Sequence, residues 1–272
     1  MATETATTAE TEGTELTFVL VHGSFHDGAA WNPIIERLGE NGHAAHAPTI
    51  VGHGKNVDKD VTHADCTGSI VDYIVDNDLE KVVLVGHSFG GTIIPKVAEA
   101  IPERINRLVF HNAFVLEDGN SLLDEIPPHM QELFTQLAEE SEDNTVTMPF
   151  PVWREAFIND ADIDLAHSSY ELLSSEPFGP LREKIDMTEF YSLELPSSYL
   201  YATEDNTCRK VPTGDGIPGC RTDSDCSDWS RCPEATRSSS RTPRIWPRNS
   251  SSRDETNGIV HDQSSTEKPT TQ

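Results

Sequence analysis

The sequence predicts an α/β protein: a mostly parallel sheet with helices on both faces and a helical lid inserted late in the chain. Three observations carry this expectation. Short apolar, β-branched runs alternate with helical patterns from Leu16 to His111, the rhythm of strand–helix–strand units that cover both faces of a parallel sheet. Lys81 to Gly91 reads K-V-V-L-V-G-H-S-F-G-G, a buried-strand run that feeds a serine into a helix. From about Glu117 to Leu195 the rhythm changes to helical and irregular polar segments.

The elements follow in order. Leu16-Thr-Phe-Val-Leu-Val21 ends at His22-Gly23 and reads as a buried strand entering a loop. Ala29 to Leu38 has apolar spacing compatible with a helix, which Gly42 ends. His43 to Ala47 is a second short strand, closed by Pro48 and the turn Gly52-His53-Gly54. Thr62 can cap a helix together with Asp65, and Ile70, Val71, Ile74 and Val75 form its apolar face. The Lys81–Val85 strand, a helix running to about Ala100 and the strand Arg107–His111 complete the first half. The insertion at about 117–195 carries Phe134, Trp153, Phe157 and Phe178, and reads as a lid over a pocket. The sheet resumes at Ser197-Ser-Tyr-Leu-Tyr-Ala202.

Ser88 is the residue these patterns single out. Gly86 and Gly90 flank it because a sharp strand-to-helix turn strains the serine backbone and leaves no room for a β-carbon two positions either side. The alternative is a structural serine in a turn. The other candidate positions lie in His22-Gly23-Ser24-Phe25-His26, which could also be a plain strand-end turn. His43, His46 and His53 span a strand and a loop with no cysteine or carboxylate at ligand spacing, so no metal is expected.

Charge bounds the partners. The chain has 272 residues and a formal net charge of −26. Residues 1–207 hold 37 acidic and 10 basic side chains, and 208–272 hold 9 and 10. So acidic a body is repelled by nucleic acid and anionic membrane. With only seven lysines in the chain, it suits a protein that stays soluble at high salt; the alternative is an ordinary acidic enzyme. Met1 to Gly13 lacks the basic and apolar regions of a signal peptide, and no run of 18 apolar residues occurs, so a cytoplasmic location is expected. The expected organisation is a flexible acidic segment at 1–14, one domain at 15–207 and a disordered tail at 208–272.

From Leu16 to Thr207 these pieces resemble the α/β-hydrolase fold, and within it the small esterases and hydroxynitrile lyases that include the plant salicylate methyl esterases. The resemblance implies Ser88 as the nucleophile and an oxyanion hole formed by the backbone N–H groups of Phe89 and Ser24. It implies Asp205, in Ala202-Thr-Glu-Asp-Asn206, as the acid, with Glu204 as the weaker choice and a surface-turn carboxylate as the competing reading. His22, Gly23 and His26 would line or frame the pocket. It implies a small-molecule ester as substrate and no cofactor. Lyases of this group carry a threonine next to the first-loop histidine; Gly23 stands there, which favours ester hydrolysis. A catalytically dead hydrolase-fold binding protein is the rival from another class.

One part is missing. The family's chain order is serine, acid, histidine, and after Asp205 this sequence offers only His261, in a segment with no strand or helix period. His87 should point away from the site, and His111 could face it. The tail also changes character: residues 1–207 contain 18 leucines and 208–272 none, while four of the five cysteines fall at 208, 220, 226 and 232. A frame shift near Thr207 explains both, because the leading T of Cys, Trp and most Ser codons becomes a middle T in an offset frame, and middle-T codons encode only hydrophobic residues. Ser224, Cys226, Ser227, Trp229, Ser230 and Cys232 then become an apolar strand pattern, and Ala235-Thr236 permits histidine, asparagine, aspartate or tyrosine. On this reading the last strand, the last helix and the triad histidine are absent from the chain as written, and activity is weak or nil.

Overall fold

The computed structural model describes residues 15–202. Asp205, Glu204, His261 and the 208–272 tail lie outside the described residues. Seven strands occur among those described: β1 (Thr17–Val21), β2 (Ala44–His46), β3 (Val82–His87), β4 (Ile105–His111), β5 (Thr145–Val146), β6 (Glu176–Pro177) and β7 (Ser197–Leu200). The main sheet runs β2-β1-β3-β4-β7 with every neighbouring pair parallel.

Strand alternation sorts the core onto two faces. Leu20, Val83 and Val85 pack with Trp31 and with Ile34, Ile35 and Leu38 of helix α1 (Asn32–Glu40). Val19, Val21, Leu84, Leu108 and Phe110 face the opposite way, toward α2 (His63–Asp76) and α3 (Gly90–Ala100), whose Ile70, Ile74, Ile93, Ile94 and Val97 are fully buried. The central strand β3 is covered on both sides, which is why it reads as an unbroken apolar run. The cap of α2 is a reciprocal pair: the Thr62 side chain accepts from the Asp65 N–H, and Asp65 accepts from the Thr62 N–H at 2.9 Å. The expected apolar face of this helix holds at Ile70 and Ile74, but Val75 is 43% exposed at the rim of the core.

The lid is more structured than irregular polar sequence suggests. It contains α4 (Leu122–Glu125), α5 (Pro128–Glu140), α6 (Phe150–Val152) continuing into a π-turn at Trp153–Phe157, α7 (Ile163–Tyr170) and α8 (Phe178–Arg182). A two-stranded antiparallel β5–β6 pair brackets its α6–α7 segment. Phe134, Trp153 and Phe178 are buried in the common core and Phe157 packs against it. Phe25 meets Phe134 and Phe157 edge-on at 6.0 and 6.5 Å, so the lid closes onto the loop that follows β1. No helix among the described residues is long and apolar enough to cross a membrane.

Candidate active site

The chain reverses direction at Ser88 within two residues. β3 ends at His87, Ser88 adopts φ 50°, and α3 begins at Gly90. Such a backbone is costly for a residue with a β-carbon and needs close support. The support is steric. A β-carbon on Gly86 would lie 2.6 Å from the Gly90 carbonyl oxygen, and one on Gly90 would lie 2.7 Å from that of Val21. The Ser88 carbonyl accepts from Gly91 N–H at 2.9 Å and Phe114 N–H at 3.1 Å, which fixes the turn between α3 and the segment after β4.

The loop after β1 crosses directly over this turn. A β-carbon on Gly23 would be 2.9 Å from both the Ser88 Cβ and the His87 Nδ1, so the backbone of residues 22–24 is stacked on the serine. Side chains of the loop hold that position. His22 is buried; its Nε2 accepts from Ile50 N–H at 3.0 Å, which leaves the proton on Nδ1, 2.9 Å from the Gly23 carbonyl. Burial, with His53 beside it, keeps its pKa well below the ordinary histidine value. His22 therefore anchors the loop as a neutral ring. His26 lies 2.8 Å by Nδ1 from the Ser24 carbonyl and packs its ring against Trp153 of the lid at 5.7 Å. Phe89 is fully buried, its ring stacked on His53 at 5.5 Å and edge-on to His63 at 6.0 Å.

The remaining histidines have separate surroundings. His87 and His111 pack with their ring centroids 5.3 Å apart, each 6.2 Å from Trp31 on the α1 side of the sheet. His87 thus packs on Trp31 with its Nδ1 beside Gly23, and His111 also lies on the Trp31 side, contrary to the expectation that it could face the pocket; strand alternation puts it on the face of Val109. His63 contacts Thr92 Oγ1 at 2.9 Å, and burial together with Lys96 lowers its pKa to about 4. His43 packs on Phe18, His46 lies 3.1 Å from the Tyr73 hydroxyl and His53 pairs with Glu176. These three imidazoles have three different partners, and among the described residues no group of three or more His, Cys, Asp or Glu side chains is arranged to hold a metal ion.

Sequence reasoning missed Glu176. Its carboxylate is fully buried and accepts from Phe25 N–H at 2.7 Å while facing His53 Nε2 at 3.1 Å. Nothing in Ser174-Ser-Glu-Pro-Phe178 marks this carboxylate as different from the many exposed ones. The signal is purely tertiary.

Comparison with known proteins agrees with this architecture. The profile of the alpha/beta hydrolase family matches residues 18–247. A solved structure described as an extracellular alpha/beta-hydrolase from a Paenibacillus species, sharing structural and functional homology with tobacco salicylic acid binding protein 2, is 43% identical with a TM-score of 0.70. That match covers 72% of this chain and 81% of the other. A carbendazim hydrolyzing esterase of Nocardioides sp. is 37% identical over 113 residues, 40% of this chain and 47% of its own. Putative methylesterase 11, chloroplastic, of Arabidopsis thaliana is 27% identical over 205 residues, 70% of this chain and 52% of its own. The chain spans about half the length of these curated relatives. With the profile match covering most of the sequence, and a parallel sheet that turns at a strained serine beneath a lid, the chain belongs to the alpha/beta hydrolase family.

Proposed function

We propose that this chain descends from, and retains the body of, a serine hydrolase that cleaves small carboxylic esters. In that reaction Ser88 Oγ attacks the ester carbonyl carbon and its proton passes to a histidine. The N–H groups of Ser24 and Phe89 hold the developing oxyanion, the C–O bond to the alcohol breaks, and the alcohol leaves with the proton. Water then releases the acyl group from Ser88 as a carboxylate. Asp205 is the acid that orients the histidine.

The observation that carries this reading is the strained Ser88, at φ 50°, with the Gly23 backbone stacked on it. A structural turn serine has no need of two glycines at contact distance and a second loop fixed over its side chain. The same contact favours hydrolysis over cyanohydrin cleavage, because a threonine side chain at position 23 would begin 2.9 Å from the Ser88 Cβ.

The histidine is the part we assign to an offset reading frame after Thr207. Loss of a triad histidine alone costs on the order of 10⁶ in turnover in a well-studied serine protease. The chain as written should therefore hydrolyse p-nitrophenyl acetate close to background. A single-base repair of the gene after codon 207 should raise hydrolysis by several orders of magnitude, and Ser88→Ala in the repaired protein should abolish the gain. Robust turnover of the present chain that Ser88→Ala abolishes would show that a base is already present and overturn the frame reading. Turnover in the repaired chain that survives Ser88→Ala would overturn the nucleophile.

A further inference from the structure

We infer that Glu176, a lid residue, is the positioning residue that sets the backbone of the oxyanion loop, so that lid closure and assembly of the hole are one event. The inference rests on the proposed role of Ser24 and Phe89. Phe25 adopts φ 67°, a left-handed conformation that a phenylalanine does not hold unaided. Both of its peptide groups are taken up by the lid segment around β6. Its N–H donates to Glu176 Oε2 at 2.7 Å, and its carbonyl accepts from Ser174 N–H at 2.9 Å. The orientation of the Ser24–Phe25 backbone therefore depends on residues about 150 positions away in sequence.

The carboxylate is itself prepared for this task. A buried, unpaired carboxylate would be strongly disfavoured. His53 supplies its partner: Nε2 faces Glu176 Oε1 at 3.1 Å and Nδ1 faces the Val51 carbonyl at 3.1 Å. With an acceptor at each ring nitrogen, His53 is the doubly protonated imidazolium. Burial alone would lower its pKa, and the facing Glu176 outweighs burial and raises it. The nearby Ser24 side chain also favours the charged form of Glu176. The His53 ring lies flat on Phe89 at 5.5 Å, so the same ion pair touches Phe89 and, through Glu176, the peptide that joins Ser24 to Phe25. Lys59, which donates to the Gly54 and Ser175 carbonyls at 2.8 Å each, clamps the β6 segment beside the pair. A lid that opened would withdraw Glu176 and release Phe25 from its left-handed conformation.

The test uses the full chain and two probes. Phenylboronic acid becomes tetrahedral on a serine and occupies the hole; benzoate stays planar and needs only the pocket. Glu176→Met keeps the buried volume and removes the acceptor, and Glu176→Gln restores an acceptor oxygen toward Phe25 N–H. Glu176→Met should weaken phenylboronate binding about tenfold or more, leave benzoate within about twofold and accelerate amide exchange across residues 22–27. Glu176→Gln should recover phenylboronate affinity to within about threefold of the parent. Equal weakening of both probes, no change in phenylboronate affinity with Glu176→Met, or no recovery with Glu176→Gln overturns the inference. Ser88→Ala separates the two readings. If it binds phenylboronate as tightly as the parent, the nucleophile assignment fails, and the positioning role is then decided by exchange at residues 22–27 alone, with unchanged exchange in Glu176→Met overturning it.

Discussion

Two glycine substitutions in adjacent elements should move stability in opposite directions. Gly90 opens α3, and a β-carbon there would lie 2.7 Å from the Val21 carbonyl oxygen and 2.8 Å from that of His22. Both obstacles are backbone, and both belong to the end of β1 and the start of the loop that follows it, so neither can yield as a flexible side chain would. Relief requires α3 to move off the sheet, where Ile93, Ile94 and Val97 are fully buried. Overpacking of this kind costs about 1–3 kcal/mol, and two backbone contacts put Gly90→Ala toward the upper end. Gly68 is the contrast: it lies inside α2, and a β-carbon there would meet nothing within 4 Å. Gly68→Ala should stabilise by about 0.5–1 kcal/mol through the lost chain entropy of the unfolded state.

For a domain of this size each kcal/mol moves the melting temperature by about 2–4 °C. Gly90→Ala should therefore melt about 5–10 °C below the parent, and Gly68→Ala about 1–4 °C above it. Urea titrations should show the same order with unchanged slopes, since neither substitution alters the surface exposed on unfolding. A Gly90→Ala protein as stable as its parent would refute the contact argument, and with it the claim that the serine turn is held by close packing of β1, β3 and α3.

Three further outcomes are expected. Added potassium chloride should raise the melting temperature, because it screens repulsion among the acidic groups that outnumber basic ones 37 to 10 in residues 1–207; a flat or falling melting temperature from low to molar salt would count against salt adaptation. Stability should fall as pH drops below 6.5, the ordinary histidine value, because desolvation holds His22, His26, His63 and His87 below it in the folded state and the unfolded chain then binds more protons. His63, at about 4 when folded, alone removes on the order of 3 kcal/mol by pH 4, so His63→Gln should flatten that limb, and a urea midpoint unchanged from pH 7 to 5 would exclude the effect. His53 acts in the opposite sense: its raised pKa stabilises below the unfolded value and is lost as pH rises through the folded one, so Glu176→Gln should selectively reduce stability on the acid side of neutrality, measured as a smaller difference between pH 6 and pH 8 than in the parent.

Much of the fold was legible because its signals are local. The apolar run Val82–Val85 reports a strand buried on both faces, the Thr62–Asp65 pair reports its own cap, and Gly86-His-Ser-Phe-Gly90 reports a turn too tight for side chains. What failed was tertiary. β5 and β6 are two residues each, too short for any period, and their pairing joins positions thirty residues apart or more. His111 carries no sequence mark that decides between the two sheet faces. Glu176 and His53 are separated by 123 residues, and only the folded chain makes one the counter-charge of the other.

The histidines show how the site divides structural and chemical roles. A general base needs access to the nucleophile and a pKa near the working pH. The hydrogen bonds of His22, His26, His53 and His63 run to Gly23 and Ile50, to Ser24, to Val51 and Glu176, and to Thr92, none of them to Ser88. His87 and His111 stand behind the sheet with Trp31. Rings fixed in this way shape the loop after β1 and the serine turn, and desolvation holds His22, His26, His63 and His87 below the ordinary histidine value. Under the proposed function the base comes from the chain that follows β7 in sequence, as the proposed acid Asp205 does. In the present frame that stretch offers His261 alone, 56 positions beyond the acid, where the family pattern requires about half that separation. In the offset frame Ala235-Thr236 can encode a histidine at the required distance, behind a segment apolar enough to pair with β7, whose Leu200 is 41% exposed at the sheet edge of the described residues.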